Sequence, residues 1–463
     1  MQEVTLEQIL LAREARAALQ QKLLNTYRCP LVSFTMNIAG PVKTSPLIER
    51  AFETGLSELA KHLPDEKILF CHKTMEITGY EAMLSVDMEA VTLKQICTDI
   101  EDAAPLGRLF DMDVLGSDVH KLDRDIVKGG PRNCLVCGAP GRSCAARRLH
   151  AVSELQAVTH SIMKDHFALA DSNRIAALAV QSLKDEVNTT PKPGLVDRRN
   201  NGSHVDMNLE LFLLSAEALK PYFAECVEIG QECCLLPAYE TFPRLRQAGL
   251  KAEQTMFLTT GGVNTHKGAI YTLGILCGAL GRLWTPEKPF SIPLERPLEE
   301  CAHIVTPHVK ADFEAIEALG RPSASDNSAS EITAGERLYL ESGLTGIRGE
   351  VAAGLPSVTS IALPIYWKAL KDGLNTNDAG AVTLLHLIAR VNDTNLYHRG
   401  GTEGAAFAAD TARTLLKTAA YPSVKQLEDL DDAFIAKNLS PGGCADLLAV
   451  TYFLHNLTEY PLQ

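Results

Sequence analysis

Ionisable side chains crowd onto two stretches of the chain. Between Glu186 and Met207 it reads EVNTTPKPGLVDRRNNGSHVDM, where Pro191, Pro193, Gly194 and Gly202 forbid a continuous helix or central strand. Glu186, Lys192, Asp197, His204 and Asp206 are therefore expected on a loop, and a loop that dense in chemistry is usually a site. A second loop, TTGGVNTHKG at 259–268, follows a helical stretch carrying Glu253 and precedes an apolar helix. A glycine-bearing loop at a helix N-terminus presents backbone N–H groups to an anion. Asn264, His266 and Lys267 then read as a phosphate cradle, or equally as a helix cap with a surface lysine. Lys192, Arg198 and Arg199 add positive charge, so the two loops together suggest a triphosphate. Asp206 and Glu253 supply hard oxygen ligands for a magnesium ion on that triphosphate, although Asp206 reads equally well as the N-cap of MNLELFLLSAEAL. His204 and His266 would contact phosphate or a sugar hydroxyl. Downstream, VNDTNLYHRGG places Asp393 and Arg399 at the end of an apolar helix. NLSPGGCADLLA opens another helix in an ordinary way, with Pro441 in its first turn.

The first half carries its own candidates. Asp111 and Asp113 are two apart on a predicted strand, so both carboxylates leave one face of a sheet. Such a pair can hold magnesium, with Arg108 forking onto a phosphate; a half-exposed strand with acids facing solvent explains it equally. Lys128, Arg132, Arg142, Arg147 and Arg148 come with no acid between Lys128 and Arg148, as a polyphosphate substrate requires and as a solvated basic loop also allows. Cys134, Cys137, Cys144 and His150 have the ligand types of zinc. Their compressed later spacing favours plain reduced thiols.

The elements that position these groups differ between the halves. With 463 residues, two domains are expected, 1–165 and 166–463, joined near residues 160–170. LVSFTMNI, ILFCHKTMEIT, YEAMLSVD and RLFDMDVLG read as strands, PLIERAFETGLSELAKHL and TLKQICTDIEDA as helices. That order predicts an α+β domain with a ferredoxin-like βαββαβ core. From about residue 166 apolar residues recur at three- and four-residue steps, which predicts a nearly all-α domain, in an α/β multidomain protein overall. The composition, 46% hydrophobic and 22% charged, is that of a soluble globular protein. A net charge of -13 argues against a general nucleic-acid binder. The N-terminal MQEVTLEQILLAREARAAL reads as an amphipathic helix rather than a signal peptide. No apolar run reaches the roughly 18 to 20 residues that span a bilayer. A cytoplasmic protein is expected, with no membrane partner and with cysteines such as Cys97, Cys226 and Cys277 as buried thiols.

Ordered motifs carry two resemblances. LVSFTMNIAGPVKTSP, GRLFDMDVL and RNCLVCG...CAARRLH resemble the apo-citrate lyase phosphoribosyl-dephospho-CoA transferase, over about residues 1–165. That resemblance implies a nucleotidyltransferase-like activity in which a serine of the apo-acyl carrier subunit attacks a triphosphate and pyrophosphate leaves. Asp111 and Asp113 would then hold magnesium, while Arg108, Lys128, Arg132, Arg147 and Arg148 neutralise pyrophosphate. EVNTTPKPGLVD, GSHVDM, GLKAEQTMFLTTGGVNTHKGAIYTLGIL, NDTNLYHRGG and NLSPGGCADLLA resemble triphosphoribosyl-dephospho-CoA synthase over about 168–463. It implies ATP and 3'-dephospho-CoA as substrates and adenine as product. Breaking the adenine-ribose bond builds oxocarbenium character and needs a base for the attacking hydroxyl. Glu186, Asp206, Glu253 and Asp393 are the candidate acids, and Lys192, Asp197, His204, Asn264, His266, Lys267 and Arg399 the candidate contacts. Rival readings are the same synthesis for malonate decarboxylase, or a non-catalytic nucleotide-binding scaffold.

Overall fold

A computed structural model describes residues 2–287, 293–319 and 333–459. The stretch 321–330, unassigned from sequence, and the side chain of Arg142 lie outside the described residues. The chain divides into two compact units, Met1–Leu169 with Thr285–Lys288 and Ala170–Trp284 with Pro289–Gln463.

In the first unit α1 (Leu6–Tyr27) precedes β1 (Leu31–Met36), α2 (Pro46–His62), β2 (Ile68–Glu76), β3 (Gly79–Val86), α3 (Ala90–Ala103) and β4 (Phe110–Leu115). All four strands predicted from sequence are present. They form one antiparallel sheet in the order β2-β3-β1-β4, with Thr35 opposite Asp111 and Ser33 opposite Asp113. Phe34 stacks on Phe52 of α2 and meets Phe110 edge-on, so α2 shares its core with alternate residues of β1 and β4. The other face is covered in part by α1, whose Leu23 and Leu24 pack with Leu31, Met83 and Leu115. α1 is helical as expected, with a Thr5–Gln8 capping box. It is not amphipathic along its length, because Leu6, Leu10 and Leu11 remain exposed.

β4 is an edge strand, and charged groups occupy its free side. Buried Glu101 of α3 accepts the Met112 N–H at 2.7 Å, while buried Lys94 donates to the Met112 carbonyl at 3.3 Å. Satisfying an edge in this way blocks further strand pairing. A short helix, α4 (Gly141–Arg147), follows in an otherwise irregular stretch, and then the 37-residue α5 (Val152–Asn188).

The second unit has helices joined by loops and no strand among its described residues: α6 (Leu209–Ala218), α7 (Lys220–Glu232), α8 (Phe242–Thr260), α9 (Lys267–Leu283), α10 (Glu295–Leu319), α11 (Ala334–Ser342), α12 (Gly346–Ala352), α13 (Leu363–Lys371), α14 (Thr376–Arg390), α15 (Thr394–Thr418), α16 (Val424–Ala436) and α17 (Gly442–Glu459). α9 is apolar on nearly every side, and a helix without a polar face belongs inside. Its residues from Ala269 to Gly281 are almost all buried, against α7, α8, α10 and α17. α14 and α17 are buried in the same continuous core. No helix among the described residues is long and apolar enough to cross a membrane, and all twelve cysteines are free thiols.

Candidate active sites

In the first unit Asp111 and Asp113 alternate with buried Phe110, Met112 and Val114, so the strand turns both carboxylates to one face. The chain doubles back after β4, pairing Leu115 with Lys121. Lys121 Nζ thereby reaches Asp113 Oδ2 at 2.6 Å. Burial first, and then the charge of Asp113, pushes the Asp111 carboxyl above its ordinary value. A second cation at this face would relieve that repulsion.

The basic residues divide. Arg132 binds the Phe110 carbonyl at 2.8 Å and Glu101 at 2.6 Å, and Arg124 joins the same buried Glu101. Arg132 is thus a clamp on the strand edge rather than the free phosphate ligand expected. Arg108 donates to the Asn133 carbonyl. Lys128, Arg147 and Arg148 are exposed at the ends of a turn and of α4. Cys134, Cys137, Cys144 and His150 bring one ligand atom each to within 4.8 Å of one another. The spacing that argued for plain thiols is accommodated by α4, which folds Cys144 back onto Cys137.

In the second unit a cleft of about 1000 Å³ gathers most of the residues expected there. Its wall includes Glu186, Lys192, His204, Asp206 and Asp393, and also Asn264, His266, Lys267 and Arg399. Glu186 lies on the last turn of α5 rather than on the loop. Its carboxylate pairs with Lys192 Nζ, both side chains being almost fully buried. Burial raises the Glu186 carboxyl and Lys192 opposes the rise. Asp393 caps α15 through the N–H groups of Asn395 and Leu396, at 2.8 and 3.3 Å, and also accepts the Cys444 N–H at 2.8 Å. Its carboxyl is raised by burial against these donors.

The sequence reading missed the group between them. Asp446 of α17 is half-buried in the same wall, and loss of water around its carboxyl, then Glu186 and Asp393, drives that carboxyl well above its ordinary value. Its only sequence signal was one acid inside an apolar helix. Gly268 exists for it: a Cβ there would stand 1.9 Å from Asp446 Oδ2.

That carboxyl changes the expected phosphate cradle. The Ala269 N–H is directed at Asp446, the Lys267 N–H at Asn264 Oδ1, 3.2 Å away, and the His266 N–H at Met256 Sδ. The Lys267 and Ala269 N–H groups at the α9 N-terminus therefore already have acceptors, which leaves the Gly268 N–H and the side chains to meet a bound anion. Lys267 Nζ pairs with Glu253 Oε2 at 2.9 Å and is half exposed. Of the expected Asp206–Glu253 pair, Asp206 lines the cleft and Glu253 does not. Asp206 is exposed at the cleft wall, and the cap of α6 is Asn208, not Asp206.

The two histidines are neutral. His266 is held down to about 3, by burial first and then by Lys192. Thr265 donates to Ser215 Oγ at 2.8 Å, and the Ser215 proton goes to His266 Nδ1 at 2.9 Å. The remaining ring proton then sits on Nε2, which is buried without a partner at the cleft wall. His204 is held down to about 4, by burial and then Arg399. Arg399 donates to its Nδ1 at 3.1 Å, so Nε2 donates to Ser440 Oγ at 2.9 Å. Asp197 does not line the cleft: it accepts the N–H groups of Lys192, Arg199 and Asn200 and holds the loop closed. Arg199 likewise engages Asp431 and Asp432, and Arg198 engages Asn377.

Two families match, end to end. Residues 4–166 match the apo-citrate lyase phosphoribosyl-dephospho-CoA transferase family, and residues 172–462 the ATP:dephospho-CoA triphosphoribosyl transferase family. The Protein CitXG of Haemophilus influenzae is 35% identical over 459 residues, covering 97% of this chain and 96% of the relative. That of Leuconostoc mesenteroides subsp. cremoris is 31% identical, covering 98% of both. A probable 2-(5''-triphosphoribosyl)-3'-dephosphocoenzyme-A synthase of Vibrio cholerae is 42% identical over 292 residues, 62% of this chain and 88% of the relative. With both halves matched in order and full-length relatives of the same layout, the chain belongs to the CitXG family, transferases that mature the prosthetic group of citrate lyase.

Proposed function

We propose that the chain runs both steps, with residues 166–463 as the synthase and 1–165 as the carrier transferase. The observation that carries the synthase assignment is one wall of the cleft: Glu186, Asp393 and Asp446 crowd beside Lys192 and His266. Adenine leaves C1' of the ATP ribose with the bonding pair, and the 2'-oxygen of 3'-dephospho-CoA bonds to that carbon. Buried carboxyl groups stabilise positive charge at the anomeric carbon. Asp446, whose carboxyl is driven up by loss of water and then by Glu186 and Asp393, is suited to exchange a proton with the attacking hydroxyl or departing adenine. Lys192, Lys267 and Arg399 face the triphosphate, and His266 Nε2–H donates to a phosphate or sugar oxygen.

The second step follows on the first unit, read as ferredoxin-like from its strand order and as nucleotidyltransferase-like from the family it matches. The carrier serine hydroxyl attacks the phosphorus next to the ribose, its proton is lost, and pyrophosphate leaves. Asp111 takes part beside Asp113, while Lys128, Arg147 and Arg148 approach the leaving group. Magnesium fits both sites by donor chemistry, with only carboxylate oxygens offered at Asp111 and Asp113 and at Asp206. Among the described residues no three carboxylates converge as a ready cage, so the ion would bind with one or two carboxylates plus substrate phosphates, whose charge it neutralises. The partner is the apo-acyl carrier of citrate lyase, and the setting is cytoplasmic.

The test uses the full chain with ATP, magnesium and dephospho-CoA, then apo-carrier. Adenine should appear first, and pyrophosphate with labelled carrier second. Asp113→Asn should cut carrier labelling at least about 100-fold while leaving adenine release intact. Loss of both activities, or no adenine from the parent, would remove the assignment. An apo-carrier of malonate decarboxylase should accept no label.

A further inference from the structure

The cluster at Cys134, Cys137, Cys144 and His150 takes no part in either reaction. Asn133 pairs with Pro140 as an antiparallel bridge. The Cys134 N–H donates to the Ala139 carbonyl at 2.7 Å and the Gly138 N–H to the Cys134 carbonyl at 3.0 Å. Gly138 closes this turn at φ +73°, a left-handed value that costs a glycine nothing. The result is a tight knuckle that presents two sulfurs to one side. Cys144, buried on α4, brings its sulfur to 3.5 Å from Cys137 Sγ. His150 Nε2 lies 3.3 Å from Cys137 Sγ, and its Nδ1 faces Glu154 Oε2 at 3.9 Å. A carboxylate behind the outer nitrogen is the usual support of a metal-bound imidazole, because it fixes which nitrogen faces inward.

A second observation points the same way. Across residues 121–150, Cys144 is the only buried residue among those whose burial is described. A segment that ordered without an apolar core needs another source of stability, and bound metal is one that short segments use.

The geometry points to a structural zinc site formed by Cys134, Cys137, Cys144 and His150. Four protein ligands close a tetrahedral shell and leave no position for substrate. The ion acts by position: Arg108 holds the Asn133 carbonyl and Arg132 holds the Phe110 carbonyl, so the knuckle is tied to the strand bearing Asp111 and Asp113. Zinc therefore fixes where the basic segment ends up along that face.

Metal analysis of the full chain, purified under reducing conditions, tests the assignment. About one zinc per chain is expected, falling to background in Cys137→Ser/Cys144→Ser. Because that variant can misfold, adenine release reports whether the other unit survives. The unaltered chain gives an independent reading: cobalt exchanged for zinc should show the visible bands of tetrahedral thiolate coordination. A zinc-selective chelator, with magnesium kept in excess, should lower carrier labelling at least about tenfold without lowering adenine release, and zinc should restore it. Less than about 0.1 zinc per chain with no cobalt bands, or zinc unchanged in the double variant, would overturn the site.

Discussion

The cleft of the second unit and the sheet face of the first handle charge in opposite ways. In the cleft, Glu186, Lys192, His266 and Asp393 are buried and Asp446 is half-buried, and each is perturbed by loss of water or held by a charged neighbour. On the sheet face Asp113 and Lys121 remain partly in solvent. The buried charges of the first unit, Glu101 and Lys94, serve the strand edge. A reaction at an anomeric carbon gains from groups whose electrostatics water does not screen. A reaction that must admit a protein serine needs an open face.

That contrast can be broken experimentally. The largest effect is expected from Asp446→Asn, which keeps an acceptor for the Ala269 N–H but cannot move a proton. Adenine release should fall at least about 100-fold, with carrier labelling from supplied intermediate unchanged; a loss below about fivefold would remove Asp446 from the chemistry. Next is Lys192→Met, which strands a buried Glu186. Denaturant unfolding should register a loss of about 3 kcal/mol, and adding Glu186→Gln should recover part of it, as coupled sites require.

The pH dependence sharpens the same comparison. A histidine whose folded value lies below 6.5 binds fewer protons folded than unfolded, so its contribution weakens as pH drops. For His204 the window runs from about 6.5 to about 4, and for His266 from about 6.5 to about 3. Raised carboxyl groups in the cleft work the other way, losing stability as pH rises through their elevated values. Thermal unfolding of the full chain and of His204→Gln/His266→Gln across this range should show a flatter acid limb in the variant; parallel curves would contradict the assignment. The smallest change is expected from Lys267→Ala. Its lysine is half exposed and paired with Glu253, so stability should shift by less than about 1 kcal/mol. Its effect should appear in the KM for ATP, raised about tenfold, and an unchanged KM would exclude Lys267 from the triphosphate.

Sequence pattern made the architecture legible because it is local. Runs rich in strand formers gave four strands, and apolar three- and four-residue steps gave the helices of the second unit. Asp111 and Asp113 were readable because strand alternation alone places both on one face. Glu186, Lys192, His266 and Asp393 were found because polar residues clustered near glycine and proline. Asp446 stayed hidden: a single acid in an apolar helix gives no local signal, and its partners lie on α5 and before α15. The protein partners of Asp197, Arg132 and Arg199 were hidden for the complementary reason, since a charged residue looks the same whether it meets a ligand or a loop.

Residue order by itself therefore determined which segments become helix or strand, which two families the halves belong to, and which loops bring polar residues to the cleft. Tertiary structure decided how each charge is used. It turned Asp446 into the acceptor at the start of α9, took Glu253 out of the cleft, and drew Cys144 and His150 onto the Cys134 knuckle. Ionisation and ligation depend on distance and on exclusion of water, and both are set by segments far apart in the chain.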